Sequence, residues 1–512
     1  MAFPISSRTF SNEHFPATGA FRRVKFSLRP YQEAAVAAGI ETDEPTLIVS
    51  PTGTGKTVIG AAITEHDVMC GARVLILAHK KELIGQFSAK LDEFGLKDHG
   101  TIKRGHWRFY PKRPIQVASI QTLVNRLDKV PMDFDRVIID EAHRTPAATY
   151  VKIMQAITKP YRLTGLTATP YRMSKKSGLG DHFSSLIEAI SIPDAVGQGY
   201  LVTPRVFAKP VDLSGVRMTR GDYDEAEMAA ALNKKVLNGN VVDQWCKHAS
   251  VRQTIVFASS VQHSRDLCEA FNARGIPAAH LDGETPDAAR GHMLEDLATG
   301  SIRVLCNRDV LTEGYDCPVV SCIVLARGTK SRGLWRQMIG RGQRLHPDKT
   351  DYIILDHGDC TREHGFPTDP DTITLARGVE PSKASPRFNC PHCKEPLRGW
   401  PAVCPYCQTP IDRKLVPTEV LEIETELVEI QPQAERAKAY KDLNNEAYLK
   451  KYSPQWANVQ FHRKFGRFPT KAEIAAAVYP FVHHGGKCVW QSEVDRQPKP
   501  VTVQDILDRQ FG

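Results

Sequence analysis

The sequence predicts an α/β protein: two parallel-sheet domains in tandem, then a small four-cysteine module and a helical carboxyl-terminal tail. Two stretches of the chain carry the first half of that expectation. Between Leu28 and Tyr200, short apolar runs of the kind that form buried parallel strands (TLIVS, RVLILAH, IQVASI, RVIIDE and YRLTGLTATP) alternate with helix-like segments. Residues 252–357 repeat the alternation with QTIVFASS, IPAAHLDG, SIRVLCN, SCIVLAR and DYIILDH. A third observation is the change of texture after Asp356, where HGDCTREHGFPTDPDT is rich in turn formers and reads as a linker.

The boundaries follow in order along the 512 residues, a length that suits about three domains. Residues 1–26 are polar and aperiodic and read as a flexible lead-in. Residues 27–205 form the first sheet domain, 206–250 a helical connection, and 251–360 the second sheet domain. A linker at 361–387 leads to the cysteine module at 388–412. The acidic linker at 413–440 contains VLEIETELVEI, which reads equally as an edge strand or as a solvated connector. Residues 441–512 are basic and helical in pattern.

Composition excludes several classes. With 41% hydrophobic and 24% charged residues, no stretch approaches the roughly 18 consecutive apolar residues of a membrane span. The opening MAFPISSRTFSNEHF lacks the apolar centre of a signal peptide, so a cytoplasmic protein is expected. A net charge of +9 favours a polyanionic partner but decides little alone. Of the 12 cysteines, four sit in two CxxC pairs, which in a reducing compartment points to zinc rather than to a disulfide framework.

Ser50 to Thr57 read SPTGTGKT, after the strand TLIVS and before the helix-like VIGAAIT. That context is what a phosphate-binding loop needs. Gly53 and Gly55 let backbone N–H groups of the Thr52–Thr54 segment curl around phosphates, Lys56 reaches the β/γ oxygens, and Thr57 offers its hydroxyl to Mg²⁺. Ser50 stands where the first glycine is usual. The plainer alternative is a glycine-rich turn before a helix. Further on, the strand RVII runs into Asp140, Glu141, Ala142 and His143, placing Asp140 to hold the metal and Glu141 to orient or deprotonate the attacking water. Cleaving a γ-phosphate also calls for positive charge from another domain. Arg341 and Arg344 in QMIGRGQRLHP, one helical turn apart, would both project from one helix face, unless they are ordinary solvated arginines.

In this order the motifs resemble those of the superfamily II helicases of the DEAH type. LRPYQ at 28–32 looks like the adenine-reading motif, SPTGTGKT motif I, AHKKEL at 78–83 motif Ia, SIQTL at 119–123 motif Ib, DEAH motif II and TATP at 167–170 motif III. IVFASS at 255–260 looks like motif IV, LTEGYD at 311–316 motif V, and QMIGRGQR at 337–344 motif VI. With a cysteine-pair module following, the set is most similar to the RadD-type DNA-repair ATPases and related phage helicases, and also to the type III restriction motors.

The resemblance implies two RecA-like domains with ATP and Mg²⁺ between them, in the cytoplasm of a bacterial cell or phage-infected host. It assigns Arg29 and Gln32 to adenine, Gly314 and Asp316 to the nucleotide with Asp316 at the ribose, and Arg341 and Arg344 as arginine fingers. It couples His143 to Gln337 across the interface, makes Thr167 and Thr169 the link from hydrolysis to movement, and lays Lys81, Gln121, Thr122 and Thr312 along the nucleic-acid backbone. The activity implied is ATP-driven movement on, or remodelling of, branched or single-stranded DNA in repair, recombination or replication. An RNA helicase, an ATP-gated clamp or annealing factor, and a restriction motor are the alternatives; neither a nuclease carboxylate cluster nor a methylase motif is evident for the last. A single-strand-binding or recombination protein would be a compatible partner.

Cys390, Cys393, Cys404 and Cys407 have the spacing of a closed four-thiolate Zn²⁺ site. Lys394, Arg398, Trp400 and Tyr406 beside them could meet nucleic acid or simply stabilise a small fold. In the tail, Trp456, Phe461, Phe465 and Phe468 interleave with Arg463, Lys464 and Arg467, which suits strand stacking, although an amphipathic helix packed on the motor is the slightly favoured reading. His483 and His484 read as surface histidines.

Overall fold

The structure is a computed structural model. It describes residues 27–145, 147–170, 178–209, 211, 213, 215–219, 221–369, 373–375, 387–389, 396–398, 427–430, 432–450, 454–465, 469, 481–484 and 487–490. The chain forms two compact units, residues 1–383 with 422–428, and residues 384–421 with 429–512. Both sheet domains lie in the first.

The first lobe begins with α1 (Pro30–Glu41), β1 (Thr46–Val49) and α2 (Lys56–Met69). It continues through β2 (Val74–Ala78), α3 (Lys81–Glu93), β3 (Gly100–Ile102), β4 (Ile115–Ser119), α4 (Ile120–Leu123) and β5 (Arg136–Asp140). It closes with α5 (Ala148–Gln155), β6 (Arg162–Thr167), β7 (Ser185–Glu188) and α6 (Ile192–Gly197). The sheet order is β3-β4-β2-β5-β6-β1-β7, with every pairing parallel. Strands β1, β2, β4 and β5 are buried at every residue, as expected when helices cover both faces. Leu47, Leu75, Val137 and Phe134 pack on one face, and Ile48, Ile76, Ile138 and Phe87 on the other. Gly60 lets α2 lie close to the sheet, because a Cβ there would come within 2.7 Å of Phe87.

The second lobe opens earlier than expected. β8 (Thr203–Ala208) pairs parallel with the last strand of the second sheet, so the boundary expected at 205 falls inside a second-lobe strand. After β8 come the small hairpin β9 (Met218–Thr219) and β10 (Asp222–Tyr223), then α7 (Glu225–Leu232) and α8 (Lys235–Ala249). The sheet is completed by β11 (Thr254–Ala258), α9 (Val261–Ala273), β12 (Ala278–Leu281), α10 (Asp287–Thr299) and β13 (Val304–Asn307). Then follow β14 (Cys322–Ala326), α11 (Arg332–Ile339), β15 (Asp351–Asp356) and α12 (Cys360–His364). The order is β12-β13-β11-β14-β15-β8, again parallel. Leu427 is buried in this lobe's core and donates its N–H to Gln244.

The segment expected to be a linker from 361 is folded where described. The buried Asp356 carboxylate accepts the N–H groups of Gly358, Cys360 and Thr361 and so starts α12. His364 then stacks on Trp335 at 5.2 Å, and Pro367 accepts from Arg336. Further on, Leu375 accepts the Gly180 N–H at 3.0 Å, and Ile373 and Leu375 pack on the first lobe's core. The strap therefore touches both lobes.

In the second unit, β16 (Arg387–Asn389) and β17 (Pro396–Arg398) form an antiparallel pair. A short strand β18 (Val428–Ile430) precedes the helices α13 (Gln433–Leu449) and α14 (Pro454–Phe465). Their hairpin buries Tyr440, Ala447, Ala457 and Phe461, with Phe461 edge-on to Tyr440 at 5.3 Å and Trp456 and Phe465 packed around them. The aromatic run thus supplies this hairpin's own core, and Phe461 is no stacking platform. Helix α13 begins inside the expected acidic linker, and β19 (Phe481–His484) and β20 (Lys487–Trp490) form an antiparallel pair in a tail expected to be helical. The zinc cysteines, the lead-in, Lys394, Trp400, Tyr406, Arg467 and Phe468 lie outside the described residues. Among the described residues, no helix is long and apolar enough to cross a membrane.

One buried ion pair aligns the two elements that carry the phosphate chemistry. Arg136, at the start of β5, binds Asp67 of α2 and also donates to Thr164 of β6 at 2.8 Å. Against its burial, the hydrogen bond from His66 and the Arg136 charge hold the Asp67 carboxyl below the usual carboxylate range. Removing one partner strands a buried charge, so Asp67→Ala is expected to destabilise the first lobe by about 3–5 kcal/mol. A first thermal transition within a degree of wild type would refute this.

Candidate nucleotide site at the lobe seam

The phosphate loop links β1 to α2, and its shape depends on glycine where the backbone turns left-handed. Gly53 and Gly55 both have φ of 86°, and Gly55 is the residue from which α2 starts. Ser50, the departure from the usual glycine, is accounted for: its hydroxyl lies 2.6 Å from that of Thr54, which also donates to the Pro51 carbonyl. The loop is thus braced from inside. Gln32 donates to the Thr54 carbonyl at 2.9 Å and accepts the Arg29 N–H, and Tyr31 donates to the same carbonyl at 2.6 Å. Arg29 lies over the Tyr200 ring at 4.8 Å. The two residues expected at adenine are therefore joined by Tyr31 and Tyr200, which sequence reasoning did not single out.

Lys56 Nζ lies 3.4 Å from Glu141 Oε1. Glu141 follows the end of β5 with φ of 51°, an uncommon backbone for a non-glycine residue, of the kind held at functional sites. Burial and the Glu141 charge push the Asp140 carboxyl up, to about 7, while Lys56 and His143 hold Glu141 low against its own burial. Two adjacent buried carboxylates cannot both be charged without a compensating cation. Glu141 Oε2 makes no hydrogen bond, and Thr57 stands half-buried at the start of α2. This donor set fits a Mg²⁺-bound triphosphate. Burial pushes the His143 imidazole below its ordinary range; its Nδ1 lies 3.2 Å from Thr167 Oγ1 and 3.5 Å from Thr169 Oγ1, which joins motif II to motif III.

Across the seam, the turn after α11 lies directly on this loop. A Cβ on Gly53 would sit 3.0 Å from Arg344 Cγ, one on Gly340 would sit 2.9 Å from Thr52, and Gln343 donates to the Thr52 carbonyl at 2.5 Å. The two arginines are brought to the phosphate loop, but not from a helix face: α11 ends at Ile339, and Arg341 and Arg344 stand in the turn beyond it. Both donate to the Tyr315 carbonyl, at 2.6 and 3.0 Å, and Arg344 also pairs with Asp316 at 2.7 Å.

Glu313 was not anticipated. Buried at the seam, it accepts from His79 at 2.9 Å, lies 3.3 Å from Lys80, and accepts from Arg144 at 2.9 Å, all residues of the first lobe. It also accepts from Gln337 at 3.2 Å and lies 3.9 Å from His143. Glu313 thus stands between His143 and Gln337, the two residues expected to be coupled. Against burial, His79, Lys80 and Arg144 hold it far below the usual range. A carboxylate inside LTEGYD, between Thr312 and Gly314, was the signal available in the sequence.

The expected nucleic-acid residues separate. Lys81 pairs across the seam with Asp287, and Gln121 is exposed at the start of α4, with Thr122 half-buried. Thr312 is buried, its hydroxyl donating to the Asp309 carbonyl, so it lies along no surface. Gly314 packs against Glu82 of α3, and its carbonyl accepts from Gln86; the structure places it in the lobe contact.

Two lobes meeting over a phosphate loop are the arrangement that nucleotide-driven motors use. Comparison with known proteins agrees. The family model described as type III restriction enzyme, res subunit, matches residues 25–172, and the helicase conserved C-terminal domain matches residues 235–346. A 51.5 kDa protein of a Lactococcus phage (isolate 7-9) is 34% identical over 322 residues, covering 63% of this chain and 67% of that one. The putative mitochondrial ATP-dependent helicase irc3 of Schizosaccharomyces pombe is 32% identical over 393 residues, covering 73% of this chain and 64% of that one. The fragment structure of a putative HsdR subunit of a type I restriction enzyme from Vibrio vulnificus YJ016 shares the fold, with a TM-score of 0.53, 23% identity and 68% of each chain covered. The chain belongs to the superfamily II helicases and is related to their restriction-motor and phage members.

Glu313→Gln keeps the size of the side chain and removes the charge that gathers the first-lobe cations. Hydrogen bonds to a charged group contribute about 1.5–3 kcal/mol each, so the variant is expected to part the lobes in the absence of nucleotide. Dyes on the two lobes would report a longer separation; an unchanged one would dismiss Glu313 as the anchor.

Proposed function

We propose that this chain is an ATP-dependent DNA translocase or helicase that remodels branched or single-stranded DNA in repair, recombination or replication. One observation carries the reading: the turn bearing Arg341 and Arg344 rests on the phosphate loop that presents Lys56, with Glu141 beside it. A triphosphate at this seam would meet cations from both lobes, and its hydrolysis would remove the bridge between them. The restriction-enzyme description of the family model favours DNA over RNA. The proposed place of action is the cytoplasm of a bacterial or phage-infected cell.

The chain's own groups divide the work. Lys56 binds phosphate oxygens in exchange for Glu141, which is thereby released to orient the attacking water and accept its proton. Thr57 and Asp140 would hold Mg²⁺, which supplies neutralising charge at the phosphates. Arg341 and Arg344 exchange the Tyr315 carbonyl for the charge that develops on the transferring group. His143, tied to Thr167 and Thr169 on one side and to Gln337 through Glu313 on the other, transmits the change to the seam. Lys81 and Gln121 follow β2 and β4, which pair with Ala78 level with Ser119. Their place beyond the carboxyl ends of neighbouring strands supports a DNA path there.

Phosphate release should be stimulated by single-stranded or forked DNA, and Lys56→Ala or Arg341→Ala should lower it by roughly 10³-fold or more. Stimulation by RNA alone would remove the DNA reading, and ATPase without strand displacement would make the chain a clamp.

The spacing of Cys390, Cys393, Cys404 and Cys407 further supports one structural Zn²⁺. Metal analysis should find one zinc per chain and none after paired Cys404→Ser and Cys407→Ser substitutions. Zinc-free wild type would dispose of the site.

A further inference from the structure

The segment Lys103–Arg113, KRGHWRFYPKR, carries five lysines and arginines and no carboxylate. It links β3 to β4 at the edge of the first sheet, and it displays Trp107 at 71% and Tyr110 at 50% exposure. Elsewhere in the motor, Trp245 and Trp335 are buried. A large aromatic left outside in a basic segment calls for a physical reason.

Slack is not the reason, because the loop is tied down along its length. The Arg108 carbonyl accepts from Thr101 at 2.8 Å, and Gln116 donates to the carbonyls of Tyr110 and Arg113 at 2.9 and 2.8 Å. Phe109 packs on the core with Arg126 over its ring. Arg108 is fixed by Asp92 at 2.9 Å and sits 4.6 Å from the Trp107 ring centre, and the His106 ring lies nearly parallel to the indole at 6.0 Å, so Trp107 is held in place while it stays largely exposed. Arg113 pairs with Asp98, whereas Arg104 and Lys112 face solvent.

Position ties the start of this loop to the expected DNA path. In the parallel order β3-β4-β2, Ile102 pairs with Ala118 and Ser119 with Ala78. Lys103, Gln121 and Lys81 therefore lie in a row at or just beyond the carboxyl ends of these strands. Lys103 also lies within electrostatic reach of Asp287, the residue that Lys81 binds.

We propose that the Lys103–Arg113 loop is a second nucleic-acid contact of the motor, in which Trp107 stacks on a base of an unpaired DNA strand and Arg104 and Lys112 hold its phosphates. The proposal rests on the reading of the chain as a DNA motor. A preorganised aromatic among cations is what sequence-independent single-strand binding uses.

The test is anisotropy of a labelled oligothymidylate with the full chain, over a range of salt, beside basal and DNA-stimulated phosphate release. Trp107→Ala should weaken binding by roughly 5- to 100-fold, as loss of one base–aromatic stack does, while Trp107→Phe retains most of it. Arg104→Glu with Lys112→Glu should flatten the plot of log affinity against log salt by roughly 0.7 for each phosphate no longer neutralised. Basal ATPase without DNA should stay at the wild-type rate in all three. The proposal is overturned if wild type is DNA-stimulated yet the variants match it in affinity and salt slope, or if they lose affinity for RNA alone. Wild type that neither binds DNA nor responds to it would instead remove the motor reading, and this surface's role with it.

Discussion

The closed seam depends on one carboxylate placed where a carboxylate is costly. Glu313 is buried, and a charge in that setting loses several kcal/mol of hydration unless neighbours replace it. The first lobe replaces it through His79, Lys80 and Arg144, and the second through Gln337. Three of those four partners belong to the opposite lobe, so the compensation is complete only when the lobes meet. The same residue joins the His143 end of motif II to motif VI, which makes the lobe contact and the nucleotide chemistry parts of one charge network.

A second connection makes the closed form more than a single latch. The chain beyond β15 is nucleated by Asp356 and stacked on Trp335, and it then reaches the first lobe at Gly180 and the core around Phe183. The start of β8 works in the other direction, because Val202 donates to the Gln343 carbonyl just before the chain enters the second sheet. Gln343 in turn holds the Thr52 carbonyl. The phosphate loop, the entry to the second lobe and the arginine turn therefore form one bonded sequence. In the motor proposed above, a shift of the loop would reach both lobes through these bonds.

Local patterns made most of this legible and hid the rest for identifiable reasons. Continuous apolar runs revealed the buried strands, and the strand–loop–helix context of SPTGTGKT revealed the phosphate site, because both are properties of consecutive residues. Periodicity does not say which sheet a strand joins, so TPRVFA looked like the end of the first domain although it pairs with β15. One-turn spacing suggested a helix for Arg341 and Arg344, but Gly340 and Gly342 follow the last helical residue and the chain turns there instead. Aromatics stand among cations in two places: around Phe461 they fill a helical hairpin, whereas Trp107 and Tyr110 face water. Only packing separates those cases. Glu313 was hidden because its partners come from residues 79 to 337, far apart in the chain.

The resting seam also bears on turnover. Three of the cations suited to the nucleotide already have an internal substitute: Glu141 for Lys56, the Tyr315 carbonyl for Arg341 and Asp316 for Arg344. Entry of a triphosphate is thus an exchange of partners, and the net gain is smaller than the sum of the new interactions. A motor needs that economy. If those groups waited unpaired, ADP would inherit most of the binding energy and leave slowly. In the proposed cycle, loss of the γ-phosphate would let the protein's own partners compete the product away, and interactions peculiar to the transition state would be left to set the rate.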